Sequence, residues 1–269
     1  MKKIGLTTAL VFALSVSAQQ PQLIVSAHRP VAAMLDRMEP LFGMPVNYED
    51  APYVHQGDLE DVATPEHRAR YGQTFKLWVP KKGTLSLAVG TMSPSRTEGE
   101  KVQMVETILS VNRSSGGPGD FALEQANGFL YVVPASVSGP DGRKQIVSSV
   151  LKAEVSFPTS ERSVIDTVQL ILESAGKSSR QRIVPGQVRF PPSMKVNFGV
   201  QGEPARDALA RLFKMVTPTP LSYRLLYDPA LKLFMFNLQS VSGDTPSVLA
   251  QPITAQPPTG ENPFFQKTP

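Results

Sequence analysis

The chain has 269 residues, a formal charge of +4, 25 prolines and no cysteine. That length holds one large domain or two of ordinary size. The lack of cysteine excludes disulfides, thiol catalysis, iron–sulfur clusters and cysteine zinc sites. Charge is uneven, with −4 over residues 19–142 and +7 over residues 143–232, a split that predicts two units with different surfaces.

Residues 1–18 read as a secretory signal peptide. Lys2 and Lys3 precede the apolar run Ile4 to Val16, and Val16-Ser17-Ala18 supplies the small residues that a signal peptidase reads. The run is short of the roughly 20 residues that cross a bilayer. The expectation is an exported bacterial protein, periplasmic or secreted and not integral to the membrane.

Leu23 to Ala27 is strand-like. Pro30 suits a first helical turn, and Val31, Met34, Leu35, Met38 and Leu41 make an apolar stripe ending at Gly43. Pro45 to Tyr48 opens a new strand, and residues 49–72 lack periodicity and predict a long loop. Thr74 to Val79 and Leu85 to Val89 are strand-like on either side of a Pro80–Gly83 turn. A second helix carries Val102, Val105, Ile108, Leu109 and Asn112 on one side, stopped by Ser114 to Gly119. Asn127-Gly128, flanked by apolar runs, is the strongest hairpin signal in the chain.

Residues 137–149 are a candidate linker, after which the order recurs. Val150 to Phe157 alternates like a strand, and Ser160 would cap a helix bearing Val164, Val168, Ile171, Leu172 and Ala175 up to Gly176. Arg182 to Val184, Gln187 to Phe190 and Lys195 to Val200 are extended. Glu203-Pro204 open a helix with Ala208, Leu209, Leu212, Phe213 and Val216, and a hairpin surrounds Tyr227 to Ala230. The predicted fold is α+β. It consists of two small α/β-sandwich-like modules, residues 22–136 and 150–242, each strand-helix-strand-strand-helix-hairpin. Residues 243–269 are rich in Pro, Gln, Thr and Ser and predict a disordered tail, with Phe264 and Phe265 as a candidate partner anchor.

The second module carries Val196-Asn197-Phe198-Gly199-Val200, then Glu203-Pro204-Ala205-Arg206-Asp207-Ala208-Leu209-Ala210-Arg211-Leu212, Leu221-Ser222-Tyr223-Arg224 and Leu231 to Phe236. This resembles the short N-terminal (STN-like) domain shared by secretins and TonB-dependent receptors. In that domain a strand leads to a helix of the form P-x-x-x-A-L-x-x-L, an L-x-Y strand and a closing strand. Arg29 to Leu35 with Val46 to Asp50 is similar to the front of another copy. The long loop at 49–72 departs from the family's compact size. The resemblance implies a small periplasmic interaction module with no catalytic residues to carry over.

Chemistry-bearing motifs are sparse. His28, His55 and His67 all lie in the first half, and His55 sits among Glu49, Asp50, Asp58, Glu60 and Asp61. No H-E-x-x-H or calcium-loop spacing is present, so no metal and no cofactor are assigned. No G-x-S-x-G is present either. A long loop presenting Tyr48, Tyr53 and His55 is the candidate protein-binding surface. Lys177, Arg180 and Arg182 are the candidate anion-binding set, near a helix C-terminus where cations are also expected from the helix dipole. The leading expectation is a non-enzymatic protein-interaction module with an envelope protein as partner. A binder of anionic glycan or lipid is second, and a hydrolase using His55 and its acidic loop is third. No basic-aromatic recognition motif for nucleic acid is present.

Overall fold

The computed structural model describes residues 22–43, 45–88 and 97–241. The expected signal peptide (residues 1–18), Val89 and the expected tail with Phe264 and Phe265 lie outside the described residues. In chain order the first half contains β1 (Gln22–Ala27), α1 (Pro30–Phe42), β2 (Val46–Glu49), β3 (Leu59–Asp61), α2 (Pro65–Tyr71), β4 (Trp78–Pro80), β5 (Gly83–Ala88), α3 (Glu98–Ser114), β6 (Asp120–Ala126), β7 (Phe129–Ser138) and β8 (Lys144–Ile146). The second half contains β9 (Glu154–Ser163), α4 (Val164–Ser179), β10 (Arg182–Pro185), β11 (Lys195–Pro204), α5 (Ala205–Val216), β12 (Leu221–Asp228) and β13 (Leu233–Ser240).

The helices form where apolar periodicity and end signals agree. α1 has Pro30 in its first turn and Gly43 in the left-handed region at its end. α3 starts in a capping box, Thr97 with Glu100. The predicted stripes are the buried faces: Val31, Met34, Leu35 and Met38 on α1, Val164, Val168, Ile171, Leu172 and Ala175 on α4, and Ala208, Leu209, Leu212 and Phe213 on α5. Asn127 (φ 52) and Gly128 (φ 73) turn the β6–β7 hairpin, whose paired left-handed residues match the strand twist.

The same pairing pattern occurs in both halves. The outer strands β1 and β5 pair antiparallel, as do β9 and β11. Behind the helices, β2 runs parallel to β7 while β6 is antiparallel to it. In the second half, β10 runs parallel to β13 while β12 is antiparallel to it. These inner strands merge into one sheet in the order β10-β13-β12-β2-β7-β6, with β8 on the end of β7. The fold is therefore α+β, with one seven-stranded sheet common to both halves.

The join decides the architecture. A simple translation of one half onto the other would set β12 antiparallel to β2. They are parallel, with Arg224 opposite Tyr48 and Leu225 opposite Glu49, so the second half is turned over relative to the first. Its helices consequently cover the opposite face of the shared sheet. Alternate residues of β7 show this directly. Leu130 and Val132 enter the core under α1 and α3, whereas Tyr131 and Val133 enter the core under α4 and α5.

Several expectations need correction. The predicted linker is not one, because β7 runs to Ser138 and β8 pairs back on it. The residue that caps α4 is Ser163, not Ser160, since β9 continues to Ser163, and α4 passes Gly176 to end at Ser179. Val150–Lys152 is a 3-10 turn, capped by Ser149. Gln187 to Phe190 forms no strand. The long loop at 49–72 contains β3 and α2, the latter begun by a Thr64–His67 capping box. Thr74 to Leu77 are not in the strand predicted there, which is β4, and β4 pairs with β3.

Candidate interaction site

Between β2 and β5 the first half carries an excursion, residues 50–82, which the second half replaces with the short link 186–194 between β10 and β11. Its base is built on Asp50. The Asp50 carboxylate accepts from Tyr48 Oη (2.9 Å), Tyr53 Oη (2.7 Å), Arg29 Nε (2.6 Å) and the Tyr227 amide (3.1 Å). Arg29 also donates to the Tyr227 carbonyl. Four donors on one buried carboxylate offset much of its desolvation, which is large for an unpaired charge.

Two expectations fall here. Tyr48 and Tyr53 are 1% and 3% exposed and their hydroxyls point at Asp50, so they offer no surface to a partner. Burial, with the Asp50 charge next, pushes both phenols well above their ordinary range. Glu49 and Asp50 do not belong to the acidic loop around His55 either, being buried at the junction of β2 and β12. His55 is half-buried between Gly57 and Gly142, and a Cβ on Gly57 would lie 2.2 Å from its Nε2. Among the described residues no carboxylate bonds His55, and no three His, Asp or Glu side chains cluster to hold a metal.

The middle of the excursion is clamped by its acids. Asp61 accepts from the Leu77 amide (2.9 Å), the Ala63 amide (3.0 Å) and Arg68 (3.0 Å). The two amides, with Arg68 adding to them, hold its carboxyl below the usual range. Glu60 takes the Lys82 amide at 2.8 Å and pairs with His28 at 2.8 Å. The far end is different in character. α2 has no buried residue. Tyr71 is 37% exposed, with its ring 5.0 Å from Phe75. Lys76 stands over Trp78 at 5.1 Å and Arg70 over Tyr71 at 5.4 Å. This cluster of aromatic rings and cations was missed in the sequence because Tyr71 and Phe75 belong to no periodic stripe.

The shared sheet is locked by a second polar cluster. Glu49 accepts from Tyr223 Oη at 2.7 Å and from Ser149, with Arg206 of α5 at 3.7 Å. Arg206 also bonds Glu124 at 2.6 Å and lies 5.2 Å from the Tyr131 ring centre. Burial, opposed by Arg206, raises the Glu49 carboxyl to about 7. On the opposite face Arg224 of β12 reaches Asp36 (2.8 Å) and Glu39 (3.1 Å) of α1. Each half thus sends a helix across the other half's strands.

Lys177, Arg180 and Arg182 are exposed at the end of α4 and the start of β10, without a carboxylate partner among the described residues. They flank a largely apolar hollow of about 480 Å³ lined by Pro52, Val147, Val150, Ser179 and Gln181, among others. The described residues hold no helix long and apolar enough to cross a membrane. No protein family, curated protein or solved structure matches the chain.

Proposed function

We propose that this is an exported, non-enzymatic envelope protein that docks a partner protein through the excursion of its first half, and that its halves are two divergent copies of one STN-like module. The observation that carries the reading is the contrast within the excursion. Its base is buried, with four donors on Asp50, while its far end exposes Tyr71 beside Phe75 and Trp78 among cations. Rigidly held aromatic side chains make good anchors because little conformational freedom is lost on binding. The test is quantitative retention of envelope proteins by the full chain against a Tyr71→Ala/Phe75→Ala variant. Loss of a specific band in the variant supports docking, and identical retention by both forms removes it.

A second reading follows from Lys177, Arg180 and Arg182, which face solvent beside the apolar hollow and suit an anionic glycan or lipid. Here the check is binding to anionic vesicles and to acidic polysaccharide as salt is raised, with all three cations changed to Gln. Unchanged binding in the triple variant rejects it.

A further inference from the structure

The excursion separates its charges. Asp61 and Glu60 are already engaged by Arg68, His28 and backbone amides. The remaining cations face outward: Arg70, Lys76, Lys81 and Lys82 are exposed and have no carboxylate partner among the described residues. Residues 64–82 contain five Lys or Arg against the single carboxylate of Glu66, inside a half whose overall charge is negative. Aromatic rings are interleaved with these cations, Arg70 over Tyr71 and Lys76 over Trp78.

Resting on the reading of the excursion as a protein-docking element, we propose that its tip takes an acidic polypeptide segment that also carries aromatic or aliphatic side chains. Two features select this chemistry. Arg70 and Lys76 at the tip, with Lys81 and Lys82 toward the base, would be neutralised by carboxylates spread along a short extended segment. The Tyr71–Phe75 pair, 5.0 Å between centres, gives an apolar side chain something to pack on. A membrane surface fits less well. Interfacial helices insert a continuous apolar face, and the seven residues of α2, Pro-Glu-His-Arg-Ala-Arg-Tyr, form no such face.

Trp78 is the only tryptophan in the chain and belongs to the tip, so its emission reports directly on this surface. The full chain is titrated with a synthetic peptide alternating Glu and Phe, with polyglutamate, with a Lys/Phe peptide and with phosphatidylglycerol vesicles. The expected result is a saturable change in Trp78 emission with the Glu/Phe peptide alone. Its Kd should rise on the order of tenfold between about 50 and about 300 mM salt. Arg70→Gln/Lys76→Gln should raise it by a similar factor at low salt, with unfolding by urea unchanged as the control for folding.

The proposal is overturned by no saturable response, by an unchanged Kd in the charge variant, by polyglutamate binding as tightly, or by a preference for vesicles. Failure here is separable from failure of the docking reading. If envelope retention is lost in Tyr71→Ala/Phe75→Ala but kept in Arg70→Gln/Lys76→Gln, docking stands and the acidic partner is wrong. If neither variant changes retention, both readings fall.

Discussion

The two halves use the same pairing order, yet they differ at one connection. In the first half the chain leaves the shared sheet at Glu49 and returns to the outer strand at Gly83 by way of the excursion, whereas the second half goes from Pro185 to Lys195 directly. That connection joins the inner and outer sheets at the rim of the sandwich. Lengthening it disturbs neither core, since loop closure grows only slowly in cost with length. The comparison teaches where this architecture tolerates added chemistry. The helices and strands of the two cores are committed to packing, and the exposed aromatic–cation cluster lies on the connection that was free to grow.

The largest expected effect tests whether the two halves depend on each other. Arg206→Ala removes the cation opposite buried Glu49 and also its bond to Glu124. Urea unfolding at pH 8 should show a loss of about 3–5 kcal/mol, the range for breaking a buried ion pair from one side. At pH 5 the loss should be clearly smaller, because Glu49 is then protonated. An equal loss at both values would mean that packing, not charge, is what Arg206 supplies.

Glu49 itself comes next. Its carboxyl titrates near 7 in the folded chain against 4.5 as its ordinary value, so the folded state holds the extra proton between those limits. The contribution from this group is fully present below pH 4.5 and is lost as pH rises through 7. The span corresponds to about 3 kcal/mol. The urea midpoint of Glu49→Gln should therefore be flatter than that of the parent protein across this window. A parallel pair of curves would show that Glu49 titrates normally.

Asp50→Asn weakens the base of the excursion, leaving Arg29 without its carboxylate. The expected loss is about 2 kcal/mol, with faster amide exchange over residues 51–82 than over α4 and α5. Uniform acceleration everywhere would make Asp50 part of the common core and not the excursion's own anchor.

The smallest effect sharpens the comparison most. Replacing residues 64–77 by a short Gly/Ser turn between β3 and β4 makes the first half resemble the second. Unfolding stability should change by no more than about 1 kcal/mol, while the Trp78 response to the Glu/Phe peptide disappears. A loss of several kcal/mol would show that α2 supports the cores.

Much of the fold was legible locally. The four stripes on α1, α3, α4 and α5, the Pro30 and Gly43 ends of α1, and the Asn127-Gly128 turn all follow from periods and turn chemistry within a few residues. The excursion was not legible, because α2 buries nothing and so shows no apolar period. Its aromatic pair, Tyr71 and Phe75, straddles the end of α2 and so marks no periodic face. Tyr48, Tyr53, Glu49 and Asp50 misled for a related reason. A tyrosine near acids reads as a wet loop until a partner from residues 223–227 closes over it.

By itself the sequence determined the α+β class, the buried faces of the four long helices and the unequal charge of the halves, since each depends on residue type at short spacing. Only the tertiary structure decided that β12 lies parallel to β2. Nothing local encodes a pairing between strands some 175 positions apart, because strand direction is settled by which edge groups and side chains find partners. That one pairing turned the second half over, buried Glu49 against Tyr223 and Arg206, and faced Asp50 with the Tyr227 amide. It left the excursion's far end as the surface where aromatic rings and free cations meet solvent.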